Sequence, residues 1–108
     1  MVFDSTLADR IRKILGRRRG VAEKKMFGGL SFLVNGKMAV GILGEDLVVR
    51  MDADQFVKAL KKPHTRPMDF TGRPMKGWLY VAPKGTATEK ALSQWVECGL
   101  AYAGQIKK

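Results

Sequence analysis

The sequence predicts an α+β domain, a two-layer sandwich in which helices cover a mainly antiparallel five-stranded sheet, in the order α-β(3)-α-β(2)-α. Apolar runs between residues 26 and 50 are joined by short turns, among them Asn35-Gly36, the dipeptide most typical of a type I′ hairpin. The segments on either side repeat apolar residues every three or four positions, as in a helix buried on one face. Strands joined by hairpins pair antiparallel, and their apolar face needs a covering layer.

A first helix is predicted over residues 4–18, where Asp4 or Ser5 can accept the free N–H groups of the first turn. The run Arg17-Arg18-Arg19 falls in the last turn, where cations favour the negative end of the helix dipole, and Gly20 is placed to end the helix. The apolar stripe is formed by Leu7, Ala8, Ile11, Ile14 and Leu15.

Three strands are predicted next, over Met26 to Val34, Met38 to Leu43 and Leu47 to Val49. A polar turn at Gly44-Glu45-Asp46 separates the last two. Gly28-Gly29 opens the first strand and fits no phosphate-loop pattern, so we expect a bulge or a close backbone approach there.

The second helix is predicted to begin after Asp52, with a capping box to Gln55, and to stop at Pro63. Its inward side chains are expected to be Phe56, Val57 and Leu60.

A short strand from Met68 to Thr71 is expected at a sheet edge or with a bulge, and a longer strand is expected over Trp78 to Val81. The last helix is predicted from about Thr88 to Ala103, with a capping threonine. Its apolar face is wide and consists of Ala91, Leu92, Trp95, Val96, Gly99, Leu100 and Ala103.

The 108 residues are predicted to form a single domain over residues 1-108. No apolar run is long enough to cross a membrane, and the charged start does not resemble a secretory signal. Cys98 is the single cysteine and cannot form an internal disulfide, which is typical of a reducing compartment. We therefore expect a cytoplasmic protein with no membrane partner.

The net charge of +10 is concentrated in two segments: residues 1–25 are net +5 and residues 58–84 are net +6. Such a charge keeps a small protein soluble, and it also attracts polyanions. Direct nucleic-acid binding would use the basic segments 10-25 and 58-76, with Phe70, Trp78 and Tyr80 available for base stacking. The candidate contacts are Arg17, Arg18, Arg19, Lys24, Lys25, Lys61, Lys62 and Arg66.

No catalytic arrangement is evident. His64 is the only histidine and has no orienting group at a recognisable spacing, and Cys98 is read as a small buried hydrophobe. One His and one Cys cannot build a zinc site, and Asp52 and Asp54 are read as helix-capping residues. We predict no catalytic residue, metal, cofactor or small-molecule ligand. An enzyme would need a deep pocket lined by titratable groups around His64 or Asp69.

The stretch KKMFGGLSFLVNGKMAVGILGEDLVVR, residues 24–50, closely resembles the opening of the TfoX (Sxy) N-terminal domain. The later stretch PMDFTGRPMKGWLYV, residues 67–81, is similar to a version found in short stand-alone members of that family. The residues that carry the resemblance are Met26, Phe27, Gly28, Gly29, Phe32, Gly36, Lys37 and Met38.

The resemblance implies an α-β(3)-α-β(2)-α fold in a bacterial protein and transfers no catalytic residue. Longer members are positive regulators of competence genes and carry a second, helical C-terminal domain, which a stand-alone member ending at Lys108 is expected to lack. We therefore expect a non-enzymatic regulatory or protein-interaction module. Its partner would be a protein or a second copy of the chain, paired through an exposed sheet edge. Direct DNA or RNA binding is the alternative.

Overall fold

A computed structural model describes residues 5–16, 20–26, 29–68 and 75–105. A short 3₁₀ turn, Pro83–Thr86, precedes the last helix. The helices and strands are α1 (Ser5–Leu15), β1 (Val21–Met26), β2 (Gly29–Val34), β3 (Lys37–Leu43), β4 (Asp46–Arg50), α2 (Ala53–Ala59), β5 (Thr65–Met68), β6 (Met75–Val81) and α3 (Glu89–Gln105).

The strands form one antiparallel sheet in the order β1-β2-β3-β4-β6-β5. Because paired residues share a face, the register lines up two apolar rows across the four inner strands. Side chains from all three helices pack on these rows, so the helices cover the same face of the sheet. The rows are Leu30, Ile42, Leu47 and Val81, and Phe32, Val40, Val49 and Leu79.

The predicted α+β sandwich is confirmed, but the sheet has six strands rather than five in the described residues. The additional strand is β1, and the strand predicted from Met26 to Val34 is divided between β1 and β2. The sequence of β1, VAEKKM, lacks apolar alternation because it is an edge strand with mostly exposed side chains. The order is therefore α-β(4)-α-β(2)-α.

Both backbone predictions for the central hairpins are confirmed where the chain is described. Asn35 and Gly36 have φ values of 51° and 84°, as a type I′ turn requires. Gly29 lies so close to β3 that a Cβ atom there would overlap the carbonyl oxygen of Ile42. Gly28 lies outside the described residues.

The first helix is shorter than predicted. It ends at Leu15, and Gly16 takes a φ of 57° while its N–H donates to the carbonyl oxygen of Arg12 at 3.0 Å. Gly16, rather than Gly20, therefore ends the helix, because the left-handed conformation stops it one turn earlier. Asp4 and Arg17-Arg18-Arg19 lie outside the described residues.

The predicted caps of the two later helices are confirmed. Asp52 accepts a hydrogen bond from the Gln55 N–H at 2.9 Å, and Thr88 accepts one from Ala91 at 3.1 Å. The prediction for Val57 is wrong, because its side chain is 55% exposed. The short helix turns Phe56 and Ala59 to the core, and Val57 lies about 100° around the axis from Phe56.

The strand predicted from Met68 to Thr71 overlaps β5 at Met68: β5 begins earlier than predicted and covers Thr65–Met68, and residues 69–74 lie outside the described residues. Its predicted edge position and irregularity are confirmed. β5 is the last strand in the sheet order, and its register shifts between Pro67 and Met68. A proline lacks the N–H that a central strand would need, which explains the edge position.

An ion pair joins α1 to β1 and leads to a pH prediction. Arg12 donates to both carboxylate oxygens of Glu23, from Nε and Nη2, each at 2.7 Å. These hydrogen bonds lower the pKa of Glu23, so its stabilising effect is present above the ordinary carboxyl pKa and is lost as the pH falls through the lowered value. We expect Glu23→Gln to cost at most about 1 kcal/mol at neutral pH, because both side chains are more than a third exposed, and the cost to shrink as the pH falls through the lowered pKa of Glu23. Urea denaturation at neutral and acidic pH measures this, and a difference that does not shrink in acid would contradict it.

Candidate functional site: a basic cleft between two helices

A cleft of about 560 Å³ lies between α2 and α3. Each side is lined by side chains spaced as one helical stripe (i, i+3, i+4, i+7). Met51, only 2% exposed, lies among the lining residues at the base of α2. The far end is formed by Pro63, His64, Lys84 and Gly85. The stripes are Gln55, Lys58, Ala59 and Lys62 from α2 and its following turn, and Ala91, Gln94, Trp95 and Cys98 from α3.

The cleft combines an apolar wall with positive charge. Three exposed lysines line it, Lys58, Lys62 and Lys84, and no Asp or Glu is among the described residues that line it. The Nζ atom of Lys62 lies 5.2 Å from the centre of the Trp95 ring, within the range of a cation–π contact. Anions with an apolar part are therefore the ligands this surface favours.

The two residues weighed for catalysis, Cys98 and His64, both line this cleft. Burial raises the pKa of the Cys98 thiol, and its Sγ lies 3.4 Å from Oε1 of Gln55, a neutral amide that cannot take its proton. Cys98, predicted to be a small buried hydrophobe, is half-buried: it packs against the core and also lines the cleft. Asp69, the other group expected around an enzyme pocket, lies outside the described residues.

The predicted nucleic-acid contacts fall into separate groups. Lys24 and Lys25 lie on β1, and Arg66 lies on β5, with Lys61 and Lys62 in the turn after α2. Because β1 and β5 are the opposite edges of a six-stranded sheet, they are about 24 Å apart at normal strand spacing. Arg17, Arg18 and Arg19 lie outside the described residues. The described candidates are therefore not brought together on one strand edge.

The aromatic residues considered for base stacking have partners within the chain. The guanidinium of Arg50 lies 4.1 Å from the centre of the Trp78 ring, and that of Arg66 lies 4.4 Å from the centre of the Tyr80 ring. Arg66 also donates to Asp46 at 2.7 Å. One face of each ring is therefore covered by a cation of the same chain. Phe70 lies outside the described residues.

The residues that carry the family resemblance lie in the sheet and its turns, away from the cleft. Phe32 is in the core, Gly29 contacts β3, and Gly36 forms the hairpin turn that leads into Lys37 and Met38. Met26 pairs with Gly29 at the end of β1. Phe27 and Gly28 lie outside the described residues.

Sequence reasoning did not find the cleft, although one signal was available. The apolar face of α3 is wider than a helix needs to cover a sheet. Leu92, Val96 and Gly99 are buried, whereas Ala91 and Trp95 are half-buried and line the cleft. The face thus consists of two adjacent stripes, one against the sheet and one in the cleft.

The fold and the cleft define a class: an α+β domain whose helices cover one face of an antiparallel sheet and leave an open cleft between two of them. The TfoX N-terminal domain profile matches residues 13–103. The chain therefore belongs to the TfoX N-terminal domain family. A comparison with curated proteins found no match. Within the described residues, no helix is long and apolar enough to cross a membrane.

Proposed function

We propose that this domain is a non-enzymatic regulatory module that acts by binding a protein partner, and that the partner occupies the cleft between α2 and α3. The observation that carries the proposal is the composition of this cleft. Its apolar wall includes Trp95 and Ala59, and its rim carries Lys58, Lys62 and Lys84. A tryptophan in a concave site with a polar rim is typical of the residues that contribute most of the binding energy at protein interfaces.

Nucleic-acid binding is less well supported by the same geometry. A phosphate-binding surface needs cations that follow one continuous track. Lys24 and Lys25 lie at the sheet edge opposite to Arg66, and Arg66 is already paired with Asp46. The stacking rings of Trp78 and Tyr80 each contact an arginine of the chain.

The proposal predicts that partner capture depends on the cleft. We define the cleft variant as Lys58→Glu, Lys62→Glu and Lys84→Glu, and the control variant as Lys24→Glu, Lys25→Glu and Lys61→Glu. All six lysines are exposed, so both variants should fold, and both change the net charge by the same amount. In affinity capture from a nuclease-treated lysate, we expect the wild type and the control variant to retain the same protein at moderate salt. We expect the cleft variant to lose it, because its lysines then repel the partner.

Two results would contradict this proposal. The first is retention that disappears after nuclease treatment, together with binding to labelled DNA or RNA. If that binding weakens steeply with salt and in the control variant, the function is nucleic-acid binding instead. Equal retention by the wild type and the cleft variant would place the partner elsewhere. Sedimentation of the purified chain shows whether the retained protein is a second copy of it.

A further inference from the structure

We infer that the partner enters the cleft with a short acidic segment that carries one apolar side chain between its carboxylates. This inference rests on the proposed function and specifies the chemistry of the occupant. It follows from the length of the cleft, from the distribution of its charges, and from the absence of carboxylates among its lining residues.

The length of the cleft limits the occupant to a few residues. The α2 stripe runs from Gln55 to Lys62, which corresponds to about 10 Å at the rise of a helix. An extended chain covers that distance with about three residues, whereas a helix would present only two turns. A single central side chain can therefore enter the groove, with its neighbours at the two ends.

The apolar wall accounts for the central side chain. Ala91 and Trp95 lie one turn apart on α3, Ala59 lines the groove from α2, and the buried Met51 is also among the lining residues. An aromatic or large aliphatic side chain would remove apolar surface from water on both sides, at roughly 25 cal/mol per Å². This contact places the apolar residue of the occupant against Trp95.

The lysines account for the flanking carboxylates. In the described part of the chain three arginines form ion pairs: Arg10 with Glu89, Arg12 with Glu23 and Arg66 with Asp46. Lys58, Lys62 and Lys84 have no such ion pair among the described residues. The charges of Lys58 and Lys84 are therefore available to an incoming anion, whereas Lys62, which contacts the Trp95 ring, would meet an anion held beside that ring.

The arrangement of the lysines favours a peptide over a free organic acid. Lys58 lies on α2 and Lys62 in the turn that follows it, whereas Lys84 belongs to the 3₁₀ turn that packs beside His64. The cleft is partly open to solvent rather than enclosed. Small-molecule sites usually enclose their ligand and direct a few polar groups to one point. Carboxylates spaced along a chain match cations spaced along a groove.

Fluorescence anisotropy of labelled peptides tests the inference directly. The probe is a short peptide in which Phe is flanked on both sides by Glu, and the matched peptides replace Phe by Ala or Glu by Gln. We expect saturable binding of the Glu-Phe peptide to the full chain, and at least about tenfold weaker binding to the cleft variant, because three exposed charge contacts become repulsive. We expect the control variant to bind within about twofold of the wild type.

The matched peptides keep the test independent of protein folding, because the protein is then unchanged. Binding that requires both Phe and Glu supports the inference. Equal binding of the Ala peptide, equal weakening in both lysine variants, or competition by free glutarate at the same concentration as the peptide would each overturn it. If no acidic peptide binds but capture of a partner still depends on the cleft, the inference that the occupant is acidic is wrong and the proposed function stands.

Discussion

Replacement of Phe32 by Ala is expected to lower the free energy of unfolding by about 3–5 kcal/mol. The side chain is 1% exposed, and it opposes Val40 in the apolar row on which the helices pack. Its truncation removes buried apolar area and leaves a cavity that the close-packed core fills only in part. Urea denaturation followed by far-UV circular dichroism measures the loss as a lower midpoint at an unchanged slope.

The adjacent residue supplies a matched control. Leu33 lies next to Phe32 on the same strand but points to the other face and is half-buried, so Leu33→Ala should cost about 1 kcal/mol. The free energy of unfolding of a small domain is only about 5–15 kcal/mol, so Phe32→Ala could leave the protein partly unfolded. In that case Phe32→Leu is the variant to compare with Leu33→Ala. Equal losses for Phe32→Ala and Leu33→Ala would show that the core is not where the register places it.

Replacement of Gly99 by Ala is expected to destabilise the domain by about 2 kcal/mol, although Ala is the better helix former by about 1 kcal/mol. Gly99 lies in the middle of α3, where the helix is in close contact with β3. A Cβ atom there would overlap the carbonyl oxygen of Ala39 and lie 2.7 Å from Cγ1 of Val40. Val40, the next residue, is paired with both β2 and β4 and limits how far the adjoining Ala39 carbonyl can move, so the helix is pushed away from its core contacts. Thermal unfolding should show the loss as a lower Tm.

Replacement of Gly104, in the same helix, is expected to have the opposite effect on stability. A Cβ atom at Gly104 would have no neighbour within 4 Å, so Gly104→Ala should stabilise the domain by up to about 0.5 kcal/mol through helix propensity alone. A stabilising Gly99→Ala variant would contradict the close approach of α3 to β3.

The parts of the fold that depend on local chemistry were predictable. The Asn35-Gly36 turn follows from the residues that tolerate positive φ, and the caps at Asp52 and Thr88 follow from side chains that accept backbone N–H groups. The failures have different origins. β1 depends on the neighbouring strand with which it pairs and leaves a weak local pattern, whereas the exposure of Val57 follows from its position around the helix axis and the early end of α1 from the positive φ of Gly16.

The site was less accessible to sequence reasoning. Lys62 was noted for its charge, but Lys58 and Lys84 were not linked to it, and Cys98 and His64 were judged separately. Their common location requires the packing of α2 beside α3 and the return of the chain after β6. The excess width of the apolar face of α3 was the one pattern that indicated a second contact surface.

The amino-acid sequence by itself determined the α+β class, the central hairpin, most of the core face and the family, because these depend on periodicity and turn chemistry within a few residues. Only the tertiary structure decided that Lys58, Lys62 and Lys84 border one groove, and that Lys24 and Arg66 lie at opposite sheet edges. The physical reason is that burial and electrostatic attraction depend on distances between elements. Those distances are set by packing among residues far apart in the chain.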